Sequence, residues 1–121
     1  MSKSIKEQND HFRKTRYCGE KYLNCNICKN GRTMMTSGVS SLDGNLVSDI
    51  VKHVRNFEEY HVFTEDNDPY GEHDFGSFNL KGVKIFWKID YFDKDFKYHS
   101  EDKSNPEITN RVLTIMKAEE Y

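Results

Sequence analysis

Apolar residues recur at helical spacing in three parts of the chain and alternate in a fourth. Ile5, Asn9 and Phe12 share one helical stripe behind a Ser4-to-Glu7 capping-box pattern, which predicts a first helix over residues 5–15 with a thin apolar face. Residues 16–31 show few periodic signals and read as a loop or small knuckle. "RTMMTSGV" (32–39) predicts a short strand that ends in a turn at Ser37-Gly38. Leu46, Ile50, Val54 and Phe57, supported by Val47 and Val51, define an amphipathic helix over about 43–58. In the tail, Ser104 or Asn105 reads as a cap, Pro106 falls in a first turn with Glu107 nearby, and Ile108, Val112, Ile115 and Met116 then line one face, which predicts a C-terminal helix.

Between Gly76 and Tyr98 the period changes to two. Val83, Ile85, Trp87, Ile89 and Tyr91 fall on one side, and Lys84, Phe86, Lys88, Asp90 and Phe92 on the other. Lys81-Gly82 suits a two-residue hairpin turn, and if Leu80 and Val83 flank it, Gly76 faces Trp87, Phe78 faces Ile85 and His73 faces Asp90. A further turn at Asp93-Lys94 would pair Tyr91 with Phe96, Ile89 with Tyr98 and Asp90 with Lys97. The predicted fold is α+β: an antiparallel β-meander of three or four strands with amphipathic helices packed on one face, and the "RTMMTS" strand at an edge. Residues 1–121 read as a single two-layer domain, with the N-terminal helix and Cys-containing loop in 1–30 and the α+β core in 31–121.

Composition narrows the class. The chain of 121 residues is 36% hydrophobic, 31% charged and 13% aromatic, enough for one core. A formal charge of −2 gives no global basic field, so tight nonspecific nucleic-acid binding is disfavoured and a protein partner is expected ahead of nucleic acid. No run approaches the length that spans a bilayer and "MSKSIKEQNDHF" lacks the apolar stretch of a signal peptide, so no membrane partner and a cytoplasmic location are expected.

Three motifs carry a resemblance: "NDPYGEHDFG" (67–76), "FWKIDYFD" (86–93) and "RVLTIMKAEEY" (111–121). In this order they resemble a small bacterial family of unknown function whose members carry NDPYGEHDFG, WKIDYYD and RVLTIMLA segments. The resemblance implies a single-domain protein often carried on plasmids or other mobile elements, and it implies no catalytic residues. The stretch from Cys18 to Cys28 departs from the family pattern, so no zinc role carries over from it.

The segment 65–76 concentrates the candidate chemistry. Asp66, Asp68 and Gly71 match the first, third and sixth positions of a calcium loop, but Tyr70 and Ser77 stand at the fifth and twelfth. Asx-type turns before Pro69 explain the acidic residues better. Cys25 and Cys28 have knuckle spacing, Cys18 could supply a third thiolate and His11 or His61 a fourth ligand, so zinc is the candidate metal, although no second Cys pair is present and a loop of reduced thiols is the plain alternative. No other cofactor is indicated. The row His73, Asp90 and Lys97 offers an imidazole beside a carboxylate, a base and its orienter, with no nucleophile placed beside it. The bland reading of that row is a cross-strand charge pair.

Two function classes lead, with nucleic-acid binding through Phe75, Phe86 and Phe92 beside Lys84, Lys88 and Lys97 as a third. The first is a non-enzymatic macromolecule-binding protein, specifically an inhibitor of host defence of the anti-CRISPR or anti-restriction type. It would act through the acidic loop (Asp66, Asp68, Glu72, Asp74) or the sheet face bearing Phe75, Phe86, Lys88 and Phe92. The second is a small metal-dependent hydrolase or nuclease using His73 and Asp90, with Glu72 or Asp74 on a divalent metal.

Overall fold

A computed structural model describes residues 4–15 and 31–121. Helix α1 (Ile5–Thr15) is followed by strand β1 (Arg32–Met35), the short helix α2 (Ser37–Ser40), helix α3 (Gly44–Arg55) and the short helix α4 (Phe57–Tyr60). Strands β2 (Phe75–Leu80), β3 (Val83–Phe92) and β4 (Asn110–Lys117) complete the fold, with a 3-10 turn at Ala118–Glu120. The strands form one four-stranded sheet in the order β1-β4-β3-β2. The architecture is α+β, with β1 at an edge as the sequence predicts. No helix among the described residues is long and apolar enough to cross a membrane.

The β2–β3 hairpin has the predicted register: Gly76 pairs with Trp87, Phe78 with Ile85 and Leu80 with Val83. Lys81 and Gly82 both take positive φ, 49° and 81°, as a tight hairpin turn matched to the strand twist requires. Gly76 is required by its neighbour, because a Cβ there would lie 2.6 Å from Cε2 of the Trp87 indole. The first helix also begins as predicted, with the Ser4 hydroxyl accepting from the Glu7 amide at 3.2 Å and donating to the Glu7 carboxylate at 3.0 Å.

Several expectations are corrected. The tail from Asn110 to Lys117 is a strand, not a helix: β4 lies between β3, antiparallel, and β1, parallel. The sheet is therefore mixed: β2, β3 and β4 run antiparallel in meander order, as expected, and β1 joins β4 in parallel. Arg111, Val112, Leu113, Ile115 and Met116 are all buried, and a strand buried on both faces has a continuous apolar run that periodicity cannot separate from a buried helix. β4 occupies the position expected for residues 96–98. The chain does reverse after Asp93, but only the isolated bridge Phe92–His99 forms there, and the pairs Tyr91–Phe96, Ile89–Tyr98 and Asp90–Lys97 do not. The predicted helix over 43–58 is broken at Asn56, whose φ of −111° and ψ of 39° separate α3 from α4.

The main core lies between one sheet face and the helices. Phe78, Ile85, Trp87, Ile89, Leu113 and Ile115 from the sheet meet Val39 of α2, Ile50 and Val54 of α3 and Phe57 of α4. Phe12 of α1 joins the same cluster, so the N-terminal helix packs on this face and not on the one bearing Phe75, Phe86, Lys88 and Phe92.

Candidate functional site

The loop before β2 is organised by Asp68. Its side chain is 3% exposed, and its Oδ1 accepts from the backbone amides of Glu72 at 2.9 Å and His73 at 3.1 Å. That closure holds Gly71 and His73 at φ values of 64° and 56°, so His73 leaves the ladder before β2 begins. Its ring stacks on Phe63 at 3.7 Å between centroids, and its Nδ1 lies 2.8 Å from Asp10 of α1. Asp68 is 3.9 Å from its other nitrogen.

The predicted His73–Asp90 pair is therefore not formed. The paired register ends at Phe75 with Lys88, and Asp90 makes an ion pair with Lys88 at 3.1 Å on the sheet face opposite Trp87. His73 stacks on Phe63, which itself meets Trp87 edge-on, so His73 belongs to the helix side. Lys97 is exposed and joins neither residue.

A second polar cluster lies beside the loop. Asn9 of α1 is fully buried; its amide nitrogen donates to the Glu72 carbonyl at 2.9 Å and to the Tyr91 hydroxyl at 2.7 Å. Its amide oxygen accepts from Nε of the buried Arg111 at 2.8 Å. The Tyr91 hydroxyl donates to Asp74 at 3.0 Å, and Lys103 pairs with Glu72 at 2.8 Å while lying over the Tyr91 ring. Burial raises the Asp74 carboxyl above its usual range despite the Tyr91 hydrogen bond. Burial, and then the neighbouring Asp74 charge, push the Tyr91 phenol far above its usual value. Arg13, also fully buried, pairs with Glu58 and faces Trp87 and Phe63. Burial lowers its pKa against the pull of Glu58 and Asp10; for Glu58, burial is outweighed by the Lys14 hydrogen bond and the Arg13 charge, which hold its carboxyl below the usual value.

The opposite sheet face bears the predicted binding residues. Met34, Thr114, Lys88 and Phe75 form one row across all four strands. Phe86 lies beside it, tilted against Phe75 at 5.3 Å, with the exposed ring of Tyr121 edge-on to both at 5.6–5.8 Å. Phe92, at the other end of β3, stacks on His99 at 5.9 Å. Met34 is 54% exposed. Of the acidic loop, Asp66 is exposed and Asp68 is committed to the backbone, while Glu72 and Asp74 face the polar cluster.

Cys18, Cys25 and Cys28 lie outside the described residues, and among the described residues no group of three or more His, Cys, Asp or Glu is placed to hold a metal. A pair of histidines stands apart: His53 Nδ1 and His61 Nε2 are 3.0 Å apart, the two rings stacking on Tyr60 and Phe78 respectively. Burial, with a further contribution from the His53 charge, lowers the His61 pKa.

The family described as "Protein of unknown function (DUF3768)" matches residues 35–120. The chain belongs to the DUF3768 family. The DUF3768 match takes in the 65–76 loop, the hairpin and β4, whereas α1 lies outside it. No curated protein and no solved structure matches the chain.

Sequence reasoning missed Asn9, Tyr91 and Arg111 as one network, and Asp10 as the carboxylate that meets His73. Two signals were present: an amide on the apolar stripe of α1, and an arginine opening the apolar run "RVLTIM". Each marks a polar group that must find partners once buried.

Proposed function

We propose that this chain is a non-catalytic protein-binding module whose contact surface is the sheet face opposite the helices. The observation that carries the reading is the Met34–Thr114–Lys88–Phe75 row with Phe86 and Tyr121 beside it, an aromatic and aliphatic patch on the face opposite the one that the described α-helices pack against. Aromatic and methionine side chains rimmed by paired charge are the composition of a protein interface. Lys88 is neutralised by Asp90, which weakens the nucleic-acid alternative. The mobile-element setting implied by the motif resemblance makes a host-defence protein the proposed partner class.

The test is plasmid transformation of a restriction- or CRISPR-proficient host that expresses the chain. The reading expects protection by the wild type and its loss in Phe86→Ala with the thermal transition intact. Equal protection by both, or none from the wild type, contradicts it. The competing hydrolase reading is supported by the Asp10–His73 contact, a carboxylate orienting an imidazole. It predicts metal-dependent hydrolysis of nucleic acid that His73→Ala abolishes, with no dependence on Phe86.

A further inference from the structure

Helix α1 is attached to the rest of the molecule by a different chemistry from α2, α3 and α4. Its inward positions are Gln8, Asn9, Phe12 and Arg13, all buried. Gln8 donates to the Ser104 carbonyl at 2.7 Å, Asn9 is satisfied by Glu72, Tyr91 and Arg111, and Arg13 lies between Glu58 and the Trp87 ring. Phe12 is the single large apolar side chain that α1 gives the core. These receiving groups all belong to the part of the chain that matches the family, while α1 lies outside that part. They line a groove on the helix side, separate from the opposite sheet face.

We infer that this groove is a receptor for a helix, that α1 is its detachable occupant, and that the α1 of a second copy of this chain exchanges into it. On release, water takes over hydrogen bonds and ion pairs, whereas it gives nothing back for lost apolar contact, so a segment docked mainly by polar groups detaches while the apolar core stays closed. Sixteen residues, 16–31, join α1 to β1 in the sequence, and covalent geometry gives any chain of that length a maximum reach of roughly 50 Å, enough for a neighbour's groove. The groove also specifies its occupant. It needs an amide at the Asn9 position, because that group both donates to Glu72 and Tyr91 and accepts from Arg111. A carboxylate facing His73 and a guanidinium facing Glu58 complete the pattern.

The test uses the full chain as wild type and as Asn9→Ala, with a fluorescein-labelled peptide of residues 4–15 and a matching peptide carrying Asn9→Ala, read by anisotropy. The wild-type chain already holds a competing helix, so the Asn9→Ala chain should bind the authentic peptide at least about tenfold more tightly than the wild type does. The altered peptide should lose that advantage. Equal binding of the two peptides to the Asn9→Ala chain, or no binding by it, overturns the inference. So does an Asn9→Ala chain without a cooperative Trp87 fluorescence transition, because α1 would then be integral to the fold.

Discussion

Trp87 and Asn9 are both fully buried, yet they are buried in opposite ways. Trp87 sits among Phe57, Phe63 and Arg13, on a strand whose register leaves space only because residue 76 is glycine. Asn9 has donors and acceptors on every side. The first region is held by apolar area removed from water, which is non-directional and tolerates small shifts. The second is held by matched polar groups, each costly if left alone. A small domain that combines the two has one part that resists opening and one that opens without unfolding the rest.

Substitutions at these sites should separate the two regions, beginning with the largest effect. Trp87→Ala should destabilise the whole molecule by about 3–5 kcal/mol, as large core truncations do, measured by urea unfolding with circular dichroism. α1 and the sheet should then be lost together. Asn9→Ala should cost about 1–3 kcal/mol, because Arg111 and Tyr91 lose a buried partner. The loss should appear chiefly in the exchange of α1 amides, with β3 protection kept. Phe86→Ala, on the sheet face opposite the helices, should cost only about 0.5–1.5 kcal/mol, the scale of an aromatic pair, in the same urea titration.

The smallest effect is set by pH. The folded-state pKa of His61 lies below the ordinary 6.5, so the unfolded chain takes up its proton first. The stability His61 contributes is complete above about pH 6.5 and is lost as pH falls through the lower folded-state value. Thermal melts at descending pH should show a decline beginning near that point, and His61→Gln should flatten it.

How much of this was legible in the sequence follows from the same contrast. The hairpin was, because alternation of Val83, Ile85, Trp87 and Ile89 together with Lys81-Gly82 leaves one register that keeps the apolar side chains on one face. The helix around Ile50 and Val54 was legible from its single apolar face. β4 was not, because burial on both faces erases the period. The polar dock was legible only in fragments, since which carboxylate meets His73 depends on the backbone turn at Asp68 and on where α1 lands. Both are set by contacts between residues far apart in the chain, Asn9 to Arg111 among them.

Native-state amide exchange on the wild-type chain tests the contrast most directly, following residues 8–15 of α1 and residues 85–91 of β3 across low urea concentrations. The account predicts that the α1 amides exchange through a local opening nearly independent of urea, at a free energy well below that of the β3 amides, whose exchange tracks global unfolding. A single urea-dependent opening shared by both segments would contradict it.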